Sequence, residues 1–171
     1  MAKMMKAALW YARKGWPVFP VYGITDGRCT CTKDACSSPG KHPAIAGGFL
    51  KATTEPDQIE RWWTEHPDRN IGVATGRVSG LLVVDIDPDK GGEETLAALE
   101  RKHGALPMTV QVLTGLAGSG GRGRHLYFEL PPVPIKSGVE VLGPGLDIRA
   151  DGGYVIASPS LHVTGVTYEY V

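Results

Sequence analysis

The chain has 171 residues, with a hydrophobic content of 42% and a charged content of 21%, which suits a single globular domain with a sizeable core. Its formal net charge of zero argues against a strongly basic coat for nucleic acid, although a local basic cleft is compatible with it. No apolar run approaches the ~20 residues of a membrane span, and residues 1–14 lack the apolar region of a signal peptide, so we expect a cytoplasmic protein without membrane contact.

The first part of the chain predicts a helix, a strand and a second helix. Apolar residues at helical spacing predict a helix over 4–14, with Gly15 after its last turn. Residues 16–22 predict a strand, and the two prolines in this segment favour the edge of a sheet. A second helix is expected over 53–66, with Thr54 as its N-cap.

All three cysteines of the chain lie within residues 27–43. Cys29, Cys31 and Cys36 are followed by His42 in the spacing C-x-C-x4-C-x5-H. A structural Zn²⁺ takes four cysteine or histidine ligands, and a cytoplasmic protein rarely keeps disulfides. We therefore predict a structural zinc site formed by these four residues. The alternatives are a loop with incidental thiols, or one disulfide with a third cysteine left over.

The segment 80–89 (GLLVVDIDPD) begins as an apolar, β-branched run and ends in carboxylates. Such a run predicts a strand buried on both faces, and the alternation along a strand puts Asp85 and Asp87 on the same side. The preceding strand, 70–75, leads through glycines into this segment, so we expect the two strands to pair as a hairpin. The two carboxylates favour a bound Mg²⁺ or Mn²⁺ ion; for the pair alone, an acidic turn is the alternative.

The second half of the chain predicts further strands around a glycine-rich loop. A helix over 93–103 precedes a strand over 109–114. The glycine-rich loop occupies 115–123 and leads directly into a strand over 124–130, which carries His125. On this strand the histidine shares its face with a tyrosine and a glutamate, because side chains alternate between the two faces.

A third acid, Asp147, lies in a short strand segment over 146–149. Nucleotidyl transfer requires the kinds of groups found here: the three acids, His125, and the loop arginines Arg122 and Arg124. Carboxylates can hold two divalent cations that bridge the attacking hydroxyl, the α-phosphate and the leaving pyrophosphate. Arginines and exposed N–H groups offset the phosphate charge. Taken singly, the loop could be a flexible hairpin connection and His125 a histidine satisfied by hydrogen bonds.

Several motifs complete this pattern: GKHP (40–43), WW (62–63), NIGVATG (70–76), VVDID (83–87), LPMT (106–109), RHLYF (124–128) and LDIRADGGYVIASPS (146–160). Their order and spacing resemble the N-terminal bifunctional primase–polymerase domain of phage and plasmid replication proteins, a branch of the archaeal–eukaryotic primase superfamily. The resemblance spans nearly the whole chain. It implies one catalytic domain over 1–171, with a zinc-knuckle insertion at about 27–43. It also implies that the chain is a fragment of a longer replication protein, which can include a helicase domain.

The resemblance assigns roles to individual residues. The family's acid pair and third acid bind the two catalytic Mg²⁺ or Mn²⁺ ions, and they correspond to Asp85, Asp87 and Asp147. The histidine that holds the phosphates of the incoming nucleotide corresponds to His125. Many relatives have a serine two places before that histidine, where this chain has Gly123, so a hydroxyl contact from that position is not expected.

The resemblance also implies an α+β (mixed α/β) fold, with an antiparallel RNA-recognition-like sheet flanked by helices and a structural Zn²⁺ in the cysteine insertion. Arg149 is expected to contact nucleotide or template phosphate, and Arg124 and Arg122 are expected to hold the triphosphate. We thus expect a template-dependent DNA primase and polymerase that uses NTPs or dNTPs on single-stranded DNA. A non-catalytic nucleic-acid or origin-binding module and a metal-dependent nuclease are the alternatives.

Overall fold

The computed structural model describes residues 2–118 and 120–171. Its helices are α1 (Lys3–Arg13), α2 (Pro56–Glu65) and α3 (Gly92–His103), with short 3₁₀ turns at Gly48–Lys51 and Pro88–Lys90. Its strands are β1 (Val18–Val21), β2 (Ile24–Thr25), β3 (Arg28–Cys29), β4 (Asn70–Ala74), β5 (Leu81–Ile86), β6 (Val110–Leu116), β7 (Arg122–Glu129), β8 (Leu146–Arg149), β9 (Tyr154–Ile156) and β10 (Glu169–Tyr170). These strands pair with one another in the antiparallel sense, which confirms the α+β fold class expected from the sequence.

A three-stranded sheet has the strand order β1–β4–β9. β1 lies at its edge, as the prolines in this segment predict. Pro20 is paired with Ile71 of β4, and it has no N–H that a second neighbouring strand could use. The side chains of β1 and β4 are buried along their whole length, so this sheet is part of the core.

A five-stranded sheet has the order β10–β6–β7–β5–β8 and contains the strand that ends in the acid pair. β5 lies between β7 and β8. Val83 and Val84 are consecutive residues that point to opposite faces, and both are buried. The prediction of a strand buried on both faces is therefore confirmed.

The expected hairpin between β4 and β5 is wrong. β4 pairs with β1 and β9, whereas β5 pairs with β7 and β8, so both edges of each strand are already occupied. The glycine-rich turn after β4 instead carries the chain from one sheet to the other. Only a single bridge remains of the expected pairing, with the Gly76 N–H donating to the Leu81 carbonyl at 2.8 Å.

Two hydrophobic clusters pack on the two faces of the five-stranded sheet. The first joins α1, α2, the three-stranded sheet and one face of the five-stranded sheet, where Val83 and Tyr127 lie. The second covers the opposite face and joins Val84 and Leu126 to Leu96 of α3. Because Asp85 has the same parity as Val83, it projects from the face of the first cluster, beyond the point where that core ends.

The helices of the described chain are short. α2 buries Ile59 and Trp63, and the Trp63 indole N–H donates to the Arg69 carbonyl at 2.9 Å. The N-cap of α2 is Glu55 rather than Thr54, because Pro56 occupies the first turn and holds the preceding residue in an extended conformation. The longest helix, α3, has 12 residues, and no helix in the described part of the chain has the length and apolar character needed to cross a membrane.

Candidate active site and metal cluster

A row of three polar side chains runs from the central strand of the five-stranded sheet, β7, to its edge strand β8. His125 of β7 lies directly opposite Asp85 of β5, and Asp85 lies directly opposite Asp147 of β8. Directly opposed residues of antiparallel strands project from the same face. Arg149 lies two positions further along β8, so it projects from this face as well. The strand pairing thus gathers residues that are distant in the sequence.

Two adjoining cavities lie along this row, with volumes of about 330 Å³ and 360 Å³. We call them together the cleft. Both are lined by Lys41, Asp85, Thr114 and Arg149. The first also reaches His125, Tyr154 and Tyr168, and the second also reaches Asp87, Asp89, Asp147 and His162. The cleft therefore contains the three acids and the histidine predicted from the sequence, together with polar side chains to which the sequence analysis gave no role.

Arg149 neutralises two of the acids. Its Nη2 atom lies 2.7 Å from Asp147 Oδ2 and 3.7 Å from Asp85 Oδ2. The second oxygen of Asp147 accepts a hydrogen bond from the Glu140 N–H at 2.9 Å. Two carboxylates on adjacent strands repel each other, and the guanidinium group between them offsets that repulsion. Arg149 thus lies in the cleft with two of the acids, and its expected contact with phosphate stays a prediction.

Asp87 lies one residue beyond β5 and lines the cleft with Asp85. Its Oδ1 atom accepts a hydrogen bond from the Asp89 N–H at 3.1 Å, and its Oδ2 atom lies 3.7 Å from Lys90 Nζ. Among residues 2–118 and 120–171, the cysteine–histidine cluster described below is the only group of three or more potential ligands whose ligating atoms all lie within 4.8 Å of one another. The oxygens of the three acids therefore line one cleft without converging to that distance.

Asp89 has a role that the sequence analysis missed. It follows Pro88, beyond the predicted strand, and yet it lines the second cavity. Its Oδ2 atom accepts a hydrogen bond from the Gly118 N–H at 2.7 Å. This bond joins the turn after β5 to the glycine-rich loop between β6 and β7. The sequence offered one signal for this contact: a carboxylate can accept hydrogen bonds from the exposed N–H groups of a glycine-rich loop.

His125 is almost completely buried at the inner end of the cleft. Its Nε2 atom lies 3.5 Å from Asp85 Oδ1, and its Nδ1 atom has no hydrogen-bond partner among the described residues. Burial lowers the pKa of this imidazole; Asp85 raises it in part, while Arg149 and Lys41 lower it further. The ring is therefore neutral near pH 7, with one nitrogen able to donate and the other able to accept.

Arg122 and Arg124 do not line the cleft. The Arg124 guanidinium forms two hydrogen bonds with Glu93 of α3, at 2.9 Å and 2.5 Å. Arg122 donates to carbonyls of β6 and to the Thr167 carbonyl, and pairs with Glu169 at 3.0 Å. The expectation that these arginines hold a triphosphate gains no support from this geometry. Alternation along β7 explains the difference, because adjacent residues of a strand face opposite sides of the sheet.

Gly123 is required by the close approach of a neighbouring side chain. A Cβ atom at this position would lie 2.5 Å from Thr114 Oγ1 and 3.1 Å from the Ile86 carbonyl oxygen. A serine here would therefore force Thr114 to move. Thr114 lines both cavities, so the adjacent strand brings a hydroxyl group to the region where a side chain of residue 123 would lie.

His162 is a second buried histidine of the cleft, and no strand or helix pattern in the sequence indicated it. Its Nδ1 atom lies 2.8 Å from Thr164 Oγ1, and its ring fills the space beside Gly115, where a Cβ atom would lie 2.2 Å from His162 Cε1. Burial and the charges of Lys41 and Arg122 lower its pKa from 6.5 to about 4. His162 is therefore a neutral group at physiological pH.

The low pKa of His162 predicts a loss of stability in acid. The unfolded chain binds a proton near pH 6.5 and the folded chain only near pH 4, so protons favour the unfolded state in that interval. The free energy of unfolding of the wild type, relative to His162→Gln, should fall by on the order of 1–2 kcal/mol between pH 7 and pH 4, allowing for solvent screening. Urea denaturation of both proteins at several pH values measures this difference. Parallel pH profiles would contradict the assignment.

The predicted zinc ligands are brought together beside the cleft. His42 Nε2 lies 3.5 Å from Cys29 Sγ and 3.4 Å from Cys36 Sγ, and the Cys31 thiol completes a set whose ligating atoms all lie within 4.8 Å. Tetrahedral zinc with ordinary bond lengths separates a nitrogen and a sulfur ligand by about 3.6 Å, so the four residues fit Zn²⁺. The three cysteines form no disulfide, which removes that alternative.

The electrostatics of the cluster also suit a metal. Burial raises the pKa of the Cys29 thiol, but hydrogen bonds from the Gly40 and Cys31 N–H groups and the neighbouring thiols lower it overall. Burial and the Lys33 charge lower the pKa of His42, which keeps its imidazole neutral. Metal ligands must be deprotonated, so these two shifts favour binding, whereas desolvation and the neighbouring thiols raise the pKa of Cys36 and oppose it in part.

The fold and the two sites define an α+β protein with a polar cleft on an antiparallel sheet and a Cys₃His insertion. The chain matches the family described as "Bifunctional DNA primase/polymerase, N-terminal" over residues 8–171, and it belongs to this family. The resemblance inferred from the sequence motifs is thereby confirmed. The family is one of nucleotidyltransferases that act in DNA replication.

Two curated relatives share part of their sequence with this chain. A protein named glutamate-1-semialdehyde 2,1-aminomutase from Desulforapulum autotrophicum is 29% identical over 131 residues, which are 76% of this chain and 30% of that protein. A protein of the same name from Natranaerobius thermophilus is 28% identical over 149 residues, which are 83% of this chain and 34% of that protein. The chain therefore spans about a third of the length of these relatives.

Proposed function

We propose that this chain catalyses template-directed nucleotidyl transfer, joining two nucleotides to begin a primer and then extending it. One observation carries the proposal: in a chain of the primase–polymerase family, Asp85 lies between His125 and Asp147 in one row that lines the cleft. Acids and a neutral histidine at one cavity are the groups that metal-dependent phosphoryl chemistry needs.

Asp85, Asp87 and Asp147 would hold the catalytic Mg²⁺ or Mn²⁺ ions. When bound, two such ions activate a 3′-hydroxyl and stabilise the charge that develops on the α-phosphate and the leaving pyrophosphate. The hydroxyl oxygen forms the new bond to the α-phosphorus as the bond to the pyrophosphate oxygen breaks, so no protein nucleophile is needed. Oxygen ligands from carboxylates suit either ion.

Arg149 and His125 would each contact phosphate oxygens of the substrate. Arg149 lies beside Asp85 and Asp147, and divalent cations bound by these acids would compete for the carboxylates and leave its guanidinium group able to bind a phosphate oxygen. His125 is neutral, so its N–H can donate to a phosphate without adding charge to the metal site. The hydroxyl of Thr114 provides a further donor at the same wall.

The biological setting belongs to the same proposal. The substrates would be NTPs or dNTPs on a single-stranded DNA template, in the cytoplasm of a cell that hosts a phage or plasmid, and a helicase domain in the full-length protein would open the duplex. The activity named for the two curated relatives is not part of the proposal, because the match covers only about a third of each of them.

A primer-synthesis and extension assay with single-stranded DNA, nucleotides and Mg²⁺ or Mn²⁺ tests the proposal. The wild type should make and extend primers, and Asp85→Ala/Asp87→Ala should make none. Labelled DNA incubated with Mn²⁺ but without nucleotides separates the nuclease alternative, which alone predicts cleavage. A double variant with wild-type activity would refute the assignment of the acids, and a wild type that binds DNA without synthesis would favour the non-catalytic module.

A further inference from the structure

Lys41 is a cation of the cleft to which the sequence analysis gave no role. It lines both cavities, together with Asp85 and Arg149. Its charge also lowers the pKa of both His125 and His162. The ammonium group therefore acts on the histidines of both cavities, which puts it in a central position along the cleft.

The ammonium group of Lys41 has no ion-pair partner within 4.0 Å in the described part of the chain. The other cations near the cleft differ in this respect, because Arg149 pairs with Asp147 and Lys90 lies close to Asp87. A lysine that lines a polar cleft without a partner can bind the oxygens of a mobile anion.

The cysteine–histidine cluster determines where Lys41 lies. His42 is one of the four potential ligands, and the Gly40 N–H donates to Cys29 Sγ at 3.5 Å, so Lys41 lies between two residues of the cluster. The Lys41 N–H donates to the Ser38 carbonyl, and its own carbonyl accepts from the Tyr154 hydroxyl at 3.0 Å. The backbone of Lys41 is thus fixed between the insertion and β9.

We propose that Lys41 binds the β- and γ-phosphates of the incoming nucleoside triphosphate, and that the Cys₃His cluster positions it for this contact. The inference rests on the proposed function, whose substrate carries these phosphates. Lys41 would supply the positive charge that the sequence analysis assigned to Arg122 and Arg124. Both of these arginines form hydrogen bonds away from the cleft. A lysine acts on phosphate as a point charge and needs only to be held within reach.

Equilibrium binding of a non-hydrolysable nucleoside triphosphate and of the matching monophosphate, each with Mn²⁺, tests the contact. Lys41→Met keeps the apolar stem and removes the charge, so it should raise the Kd of the triphosphate roughly tenfold. The Kd of the monophosphate, which lacks the two outer phosphates, should change less than about twofold. Lys51→Met is the control, because Lys51 is an exposed lysine that does not line the cleft.

The role of the cluster is tested with Cys36→Ser, whose zinc content is measured by metal analysis. This variant should lose zinc and weaken triphosphate binding about as much as Lys41→Met, and the double variant should bind no more weakly than either single variant. Additive effects would show that the cluster does not act through Lys41. Lys41→Arg should recover part of the triphosphate affinity, which separates a charge effect from a folding defect.

The outcomes separate this inference from the function on which it rests. A wild type that extends primers, together with unchanged triphosphate affinity in Lys41→Met, overturns the inference and leaves the proposed function in place. A wild type that neither extends primers nor binds a triphosphate with Mn²⁺ overturns both. Equal losses of triphosphate and monophosphate affinity in Lys41→Met would also overturn the inference, because a phosphate contact at the outer positions cannot affect the monophosphate.

Discussion

Asp85→Asn should lower the rate of nucleotide addition by at least about a thousandfold, which corresponds to about 4 kcal/mol of transition-state stabilisation. Asp85 is the acid shared by both cavities, and it lies between His125 and Asp147. Asparagine keeps the shape of the side chain but removes the charge that would bind a divalent cation. Single-nucleotide extension of a labelled primer at saturating Mg²⁺ measures the loss.

The same substitution should leave the protein folded. The carboxylate of Asp85 is only partly buried, and its contacts with His125 and Arg149 are long, at 3.5 Å and 3.7 Å, so the stability should change by no more than about 1 kcal/mol. Asp57→Asn, at an exposed acid in the first turn of α2, is the matched control and should retain full activity. An Asp85→Asn protein that is folded and extends primers within tenfold of the wild-type rate would show that Asp85 does not bind a catalytic metal.

Removal of zinc should have the largest effect on stability. The protein purified without chelator should contain one zinc ion per chain, and Cys36→Ser should lose it. Loss of the metal should lower the free energy of unfolding by on the order of 3 kcal/mol or more, because metal binding and folding are coupled. Thermal unfolding followed by circular dichroism, with and without a chelator, measures this effect.

A neighbouring substitution provides the control for the zinc experiment. Thr32 lies between Cys31 and Cys36 in the insertion and is exposed, so Thr32→Ala should keep both the zinc and the wild-type midpoint. The insertion also carries the buried contact between the Gly40 carbonyl and the Asn70 side chain, at 3.0 Å, which joins it to β4. A zinc-free wild-type protein with an unchanged unfolding midpoint would contradict the zinc assignment.

Local patterns predicted much of the fold. The apolar run of β5 predicted a strand buried on both faces, and the prolines of β1 predicted an edge strand; both expectations are confirmed. Spacing along the chain also identified the four residues of the metal cluster, because a short loop can bring such near neighbours together without help from distant elements. The hairpin expected between β4 and β5 is wrong because a turn signal describes only the turn. Which strands pair with each other depends on how all the strands of the two sheets pack together.

The amino-acid sequence by itself determined the chemical parts of this protein: the three acids, His125 and the Cys₃His set, and the faces to which consecutive strand residues point. That alternation already separates Arg124 from His125. The tertiary structure alone decided that β5 lies between β7 and β8, which puts His125, Asp85 and Asp147 in one row. It also decided that Lys41 and His162 line the same cleft, because contacts between distant segments depend on packing rather than on local preference.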